Sequence, residues 1–234
     1  TQHIDAASIR GEGAIVSYVR GNIAARQGHL RSALIYFDEA IQIDPTHVRA
    51  RLNRTSIHMA NEDAQSALDD AKVLLELAPG LALAKLRRAE ANMMLSNWEE
   101  AKDDLEQIVE DAPHHHHALT QLASCFMAMD RPEKAEAPLN EALRLAPDHT
   151  EAWHQRGLLY LDWAQEESAL NDFEAAVRCD GNHLGARLRI AAIHHKAERF
   201  PEALGAWNGV LAIEPEHTVA RRRREECEMA LATI

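Results

Sequence analysis

The stretch TEAWHQRGLLYLDWAQEESALNDFEAAVRCDGNH, residues 150–183, carries the pattern from which the rest of the chain is read. It predicts two helices joined by a short turn, roughly residues 150–163 and 167–180, with small residues (Gly157, Ala169) where the backbones approach. Phe173 fills the space beside them.

The same pattern recurs with a period of 34 on both sides. Pro45, Pro79, Pro113, Pro147 and Pro215 keep that spacing, with Gly181 in the missing place. So do two alanine series, Ala33, Ala67, Ala101, Ala135, Ala169, Ala203 and Ala50, Ala84, Ala118, Ala152, Ala186, Ala220. Six repeats follow, at 14–47, 48–81, 82–115, 116–149, 150–183 and 184–217. In each, helix A is expected at positions 1–14 and helix B at 18–31, with proline at position 32 stopping helix B. Position 8 is small throughout (Gly21, Thr55, Ala89, Ala123, Gly157, Ala191) and position 24 mostly bulky. Residues 1–13 read as a short lead-in, and 218–234 as a capping helix covering the last repeat's apolar edge. Its pairs Arg221–Glu225, Arg222–Glu226 and Arg224–Glu228 suit a solvated flank. Pro138 falls inside an expected helix B and should kink or loosen it.

The residues Trp153, Gly157, Tyr160, Ala169 and Phe173 resemble the signature of the tetratricopeptide repeat family, W-x2-L-G-x2-Y, A-x3-F, then P. Arg156 stands where Leu is usual and Gly181 where Pro is usual; the second and third repeats match weakly, with Arg51, Arg54, His58 and Lys85, Arg88, Asn92. The resemblance covers residues 14–217. It implies an all-α fold, a right-handed α-solenoid of helix–turn–helix repeats, and a protein-binding role as adaptor, scaffold or co-chaperone-like module.

Composition bounds the alternatives. Asp and Glu number 37 against 25 Lys and Arg, a formal charge of −12, which argues against a nucleic-acid backbone as the main partner. No apolar run approaches the ~18 residues of a membrane span. Cys125, Cys179 and Cys227 stand alone, outside any metal or redox motif, and favour reduced thiols and a cytoplasmic setting. The chain does not begin with Met, which predicts a processed or excised fragment. No phosphate loop, nucleophile elbow or metalloprotease motif is present, so no catalytic residue, cofactor or enzyme activity is expected.

The fourteen histidines include the run His114–His117, yet His47, His115, His149, His183 and His217 all occupy position 34 and read as one helix-entry device rather than as metal ligands. Asp69-Asp70 and Asp103-Asp104 share positions 22 and 23 and are expected to form an acidic patch on the outer surface.

The family resemblance places positions 2, 5, 6, 9, 12 and 13 of each helix A on a concave groove. The candidate binding residues there are Tyr18, Asn22, Arg49, Leu52, Asn53, Met59, Leu83, Leu86, Arg87, Met93, Gln121, Met127, Gln155 and Arg189. Methionine suits surfaces that accept varied apolar partners, and the amides suit a peptide backbone. Chaperone-binding relatives grip a C-terminal Asp with a five-residue clamp. Asn22, Asn53 and Arg87 match it, Tyr18 and Leu83 replace its two lysines, and Arg49 is a candidate to compensate for one. The expected partner is another protein, offering an extended peptide, a C-terminal tail or a helix. The alternatives are a substrate-selecting accessory domain of a larger enzyme and a homo-oligomeric assembly module.

Overall fold

The computed structural model describes residues 6–233, with side chains from residue 11. Among the described residues every regular element is helical, and the chain divides into two compact bodies between Asp111 and Ala112. The N-terminal body holds α1 (Ala6–Arg26), α2 (Leu30–Ile43), α3 (Val48–Ala60), α4 (Ala64–Leu77), α5 (Ala82–Met94) and α6 (Trp98–Asp111). The C-terminal body holds α7 (His116–Ala128), a 3-10 turn (Pro132–Lys134), α8 (Glu136–Leu145), α9 (Thr150–Asp162), α10 (Glu166–Cys179), α11 (Leu184–Lys196), α12 (Phe200–Ile213) and α13 (Thr218–Ala232). Within each body successive helices pack on one another, and α3 also touches α5, as α7 touches α9. Each body is thus a run of α-solenoid, odd-numbered helices being helices A and even-numbered ones helices B.

Residues 1–5 of the expected lead-in lie outside the described residues; from Ala6 onward the chain is already part of α1. Pro138 does not kink a long helix. The helix B of that repeat is replaced by the 3-10 turn and the ten-residue α8, which places Pro138 in a first turn where a missing N–H breaks no helical bond.

Backbone approach is set by positions 8 and 24. A Cβ on Gly21 would lie 2.5 Å from the Phe37 ring, and one on Gly157 2.7 Å from the Phe173 ring. Where position 8 is alanine, at Ala89 and Ala123, the opposing residue is the smaller Leu105 or Leu139; where it is Thr55, the partner shrinks to Ala71. Ala191 with Trp207 departs from this exchange, and nothing in the structure explains it.

The turn after helix A is left-handed at one fixed place, position 15. Gly28 has φ 78°, while Glu62, Ser96, Asp130, Ala164 and Glu198 hold φ between 55° and 61° without being glycine. The flanking helices impose a conformation that disfavours an L-residue by about 1–2 kcal/mol.

Three polar devices repeat with the same period. At position 34, Nδ1 of His47, His115, His183 and His217 accepts the backbone N–H three residues on, at 3.0–3.2 Å, and so caps the next helix A. His149 makes no such bond; it stacks edge-on with His116 at 4.8 Å, and burial followed by the charges of His116 and His117 pushes its pKa down. At position 4, Trp153 Nε1 donates to the Pro147 carbonyl at 2.8 Å. Arg51, Arg187 and Arg221 donate in the same way to Pro45, Gly181 and Pro215, at 2.7–3.1 Å. Arginine therefore replaces the signature tryptophan as an N–H donor, and Gly181 serves because only its carbonyl is needed.

The third device corrects the expected acidic patch. Asp69 and Asp103 are exposed, but Asp70 and Asp104 are only 4% and 2% exposed, because each accepts both arms of an arginine sixteen residues earlier. Arg88 Nε and Nη2 lie 2.7 and 2.6 Å from the Asp104 oxygens; Arg54 grips Asp70 and Arg156 grips Asp172 likewise. Hydrogen bonding to the aspartate raises the pKa of all three arginines against the opposing effect of burial. In α13, Arg222–Glu226 and Arg224–Glu228 form as expected. Arg221 turns instead to Glu216 and the Pro215 carbonyl, so the Arg221–Glu225 pair is replaced.

Candidate functional site

The N-terminal body carries ten of the candidate residues on α1, α3 and α5. Asn53 Nδ2 donates to Asn22 Oδ1 at 2.6 Å, joining adjacent helices A through two half-buried amides. Tyr18 lies against His47 and Phe37, with ring centroids 4.9 and 6.2 Å away, so one side of its ring belongs to the core. Leu52 and Leu86 are half-buried; Leu83 and Arg49 are exposed. Arg87 is paired with Glu90 at 2.7 Å, and its Nε is buried without an acceptor. Met93 is half-buried, whereas Met59 packs on Ala67, Leu68 and Ala91 as part of a core cluster. Leu83 and Arg49 are thus exposed and the amides and Leu86 partly so, while Tyr18 and Met59 are shared with the fold.

The C-terminal body carries the other four. Gln155 donates to Glu151 at 2.6 Å on α9. Met127 lines a cavity with Pro132 and Leu158, Gln121 is half-buried on α7, and Arg189 is exposed on α11.

Two titratable clusters in this body were not legible as clusters in the sequence. Glu151, His154 and His183 bring one ligand-type atom each within 4.8 Å of the others. His154 chiefly, with Gln155 and His183, holds the Glu151 carboxylate below its usual range. His183 Nδ1 accepts the Ala186 N–H at 3.0 Å, so the neutral ring keeps its proton on Nε2, which faces Glu151 at 3.9 Å. A cation would have to displace that proton and the helix cap, so the donor set as arranged does not fit a metal. In the second cluster, Cys227 Sγ lies 3.3 Å from His195 Nδ1, and His195 Nε2 lies 3.3 Å from Glu226. The thiol is fully buried and burial raises its pKa, so it is a neutral group packed under His195 rather than a nucleophile.

No helix among the described residues is long and apolar enough to cross a membrane.

Models of the tetratricopeptide repeat match residues 14–47, 92–157 and 150–183, together more than half of the chain. Comparison with curated proteins finds no sequence match. Among solved structures, MamA (residues 41 to the end) from Desulfovibrio magneticus RS-1 is 18% identical, with a TM-score of 0.68 over 74% of this chain and 98% of that one. YrrB, a TPR protein with an unusual peptide-binding site, is 22% identical, with a TM-score of 0.57 over 81% and 97%. PilF of Pseudomonas aeruginosa is 15% identical, with a TM-score of 0.74 over 94% and 99%. At these identities the likeness is one of fold.

Proposed function

Since the chain belongs to the tetratricopeptide repeat superfamily, we propose that it is a protein–protein interaction module that binds an extended peptide or a partner helix along the face of α1, α3 and α5. The observation that carries this reading is the Asn53–Asn22 bond at 2.6 Å. It uses one donor of Asn53 and one lone pair of Asn22, which leaves the pair with a spare N–H donor and a spare carbonyl acceptor. Those are the two groups that a peptide bond complements, whatever its side chain. Leu83 and Leu86, at groove positions 2 and 5 of the neighbouring helix A, would cover apolar ligand side chains. That YrrB, a protein of similar fold, has a peptide-binding site supports the same use of the fold.

A tail-carboxylate clamp of the chaperone-binding kind is disfavoured. Tyr18 and Leu83 supply no charge, and Arg87 is already neutralised by Glu90; an anionic ligand would have to displace that carboxylate. Adaptor or scaffold is therefore the more specific reading, with six repeats and a capping helix as its proposed organisation.

Affinity capture followed by mass spectrometry supplies the partner, and its binding is then compared for wild type and Asn22→Ala/Asn53→Ala/Arg87→Ala, with helicity as the folding control. A loss of affinity of about tenfold or more, at least ~1.4 kcal/mol, is expected. Unchanged binding by a folded triple variant would remove the proposed face.

A further inference from the structure

Positions 3 and 10 of helix A form the seam between repeats. Each helix A that follows a helix B within its own body buries both. Ala50 and Ile57 of α3 join a cluster with Phe37, Ala40 and Ile41 of α2. Ala186 and Ile193 of α11 do so with α10, and Ala220 and Cys227 of α13 with α12. In α1 the same positions are Val16 and Ile23, 48% and 52% exposed, with Ile15 and Val19 exposed beside them. α1 thus presents a seam surface of larger apolar residues than most of its counterparts, without a covering helix among the described residues.

The charge next to this seam is also incomplete. At position 7, Arg54 bonds Asp38 of the preceding helix B at 2.6 Å, besides its own Asp70. Arg156 bonds Asn140 of its preceding helix B at 2.7 Å, besides its own Asp172. The equivalent residue of α1 is Arg20. It is exposed, its own repeat offers Tyr36 where the second, third and fifth offer aspartate, and it has no acidic partner among the described residues. Arg20 and Ile23 line an open cleft of about 280 Å³ that reaches Tyr36.

We propose that the Val16–Ile23 face of α1 docks an acidic amphipathic helix from another protein, in the manner in which α2 covers α3. The incoming helix presents an apolar stripe like Ala33, Phe37, Ala40 and Ile41, with a carboxylate placed like Asp38 to pair with Arg20. A second copy of the chain is the poorer fit, because α2, α4, α10 and α12 already commit their apolar stripes to the helix that follows each of them. Val16, Arg20 and Ile23 stand at positions 3, 7 and 10, outside the groove positions, so this surface adjoins the proposed peptide face at Ile15 and Val19 without depending on it.

The test uses a labelled synthetic peptide of residues 29–44, the α2 segment, titrated into the whole chain and read by fluorescence anisotropy. Saturable binding is expected, reduced at least tenfold by Val16→Glu/Ile23→Glu. These side chains are exposed, so the variant should keep its circular dichroism. Arg20→Glu should weaken binding about fivefold, and an Asp38→Lys peptide should restore it. The proposal is overturned if the peptide does not bind, or binds regardless of Val16, Ile23 and Arg20. It is equally overturned if Arg54→Glu rather than Arg20→Glu is what the Asp38→Lys peptide rescues, since the peptide would then be replacing α2. Light scattering that shows self-association, abolished by Val16→Glu/Ile23→Glu and unaffected by the peptide, would assign the face to a second copy instead.

Discussion

The second, third and fifth repeats join helix A to helix B through a buried arginine–aspartate pair, Arg54–Asp70, Arg88–Asp104 and Arg156–Asp172. The fourth and sixth repeats hold Leu122 with Pro138 and Ile190 with Ala206 at the same two places. Within the C-terminal body both solutions occur side by side, so the packing of a repeat does not decide between them. What the pairing does dictate is that aspartate at position 23 comes only with arginine at position 7; the converse fails in the first repeat, where Arg20 faces Tyr36 and is exposed. A lone aspartate would be an uncompensated buried charge. The difference teaches that the departures from the family signature at Arg54, Arg88 and Arg156 are halves of compensated exchanges. They say nothing about ligand binding, which is left to the helix A residues that vary without such a partner.

The comparison breaks most sharply if one half of a pair is removed. Arg88→Leu leaves Asp104 buried with no other hydrogen-bond donor from a side chain, and a loss of about 3 kcal/mol is expected in urea unfolding. That is the lower end of the range for a broken buried pair, because the guanidinium is one-third exposed. A loss below 0.5 kcal/mol would mean that water solvates Asp104 readily.

Steric exchange between positions 8 and 24 is the apolar counterpart. Gly157→Ala drives a Cβ to within 2.7 Å of the Phe173 ring and should lower stability by about 1–3 kcal/mol. Adding Phe173→Leu, which copies the Ala89/Leu105 and Ala123/Leu139 combinations, should recover part of the loss; no recovery would show that the two positions are not coupled. The smallest effect sharpens the comparison at the turn. Ala164 holds φ 55° where the first repeat has Gly28 at φ 78°, so Ala164→Gly should raise stability by about 0.5–1 kcal/mol. A thermal midpoint that falls would show the turn to be unstrained.

The fold was legible because proline, alanine and small residues recur along one dimension, and a period is visible without knowing any contact. The buried aspartates were not, because Asp70 and Asp104 stand beside exposed Asp69 and Asp103, and an arginine lies sixteen residues before Asp103 (Arg87) as well as before Asp104 (Arg88), so spacing alone does not mark the buried one. The co-occurrence of Arg at position 7 with Asp at position 23 was present in the sequence, but it acquires meaning only when helix A is laid against helix B. In the candidate site, the identities of Asn22 and Asn53 were readable. Their hydrogen bond links residues 31 apart, and the partial commitment of Tyr18 and Met59 to the core depends on neighbours that spacing alone does not reveal. The histidines show the same limit. Their shared position 34 was plain, but their use as acceptors for the next helix required the ring nitrogen to be placed.

The exchangeability of the two seams is the claim on which the reading of the helix A residues rests. It is tested most directly by the stability of Arg88→Ile/Asp104→Ala, which writes the sixth repeat's solution into the third. The double variant should unfold within about 1 kcal/mol of wild type, since replacing both members of a buried ion pair by apolar groups is often neutral. A double variant as unstable as Arg88→Leu alone, or worse, would contradict it and show that the charged pair is required where it stands.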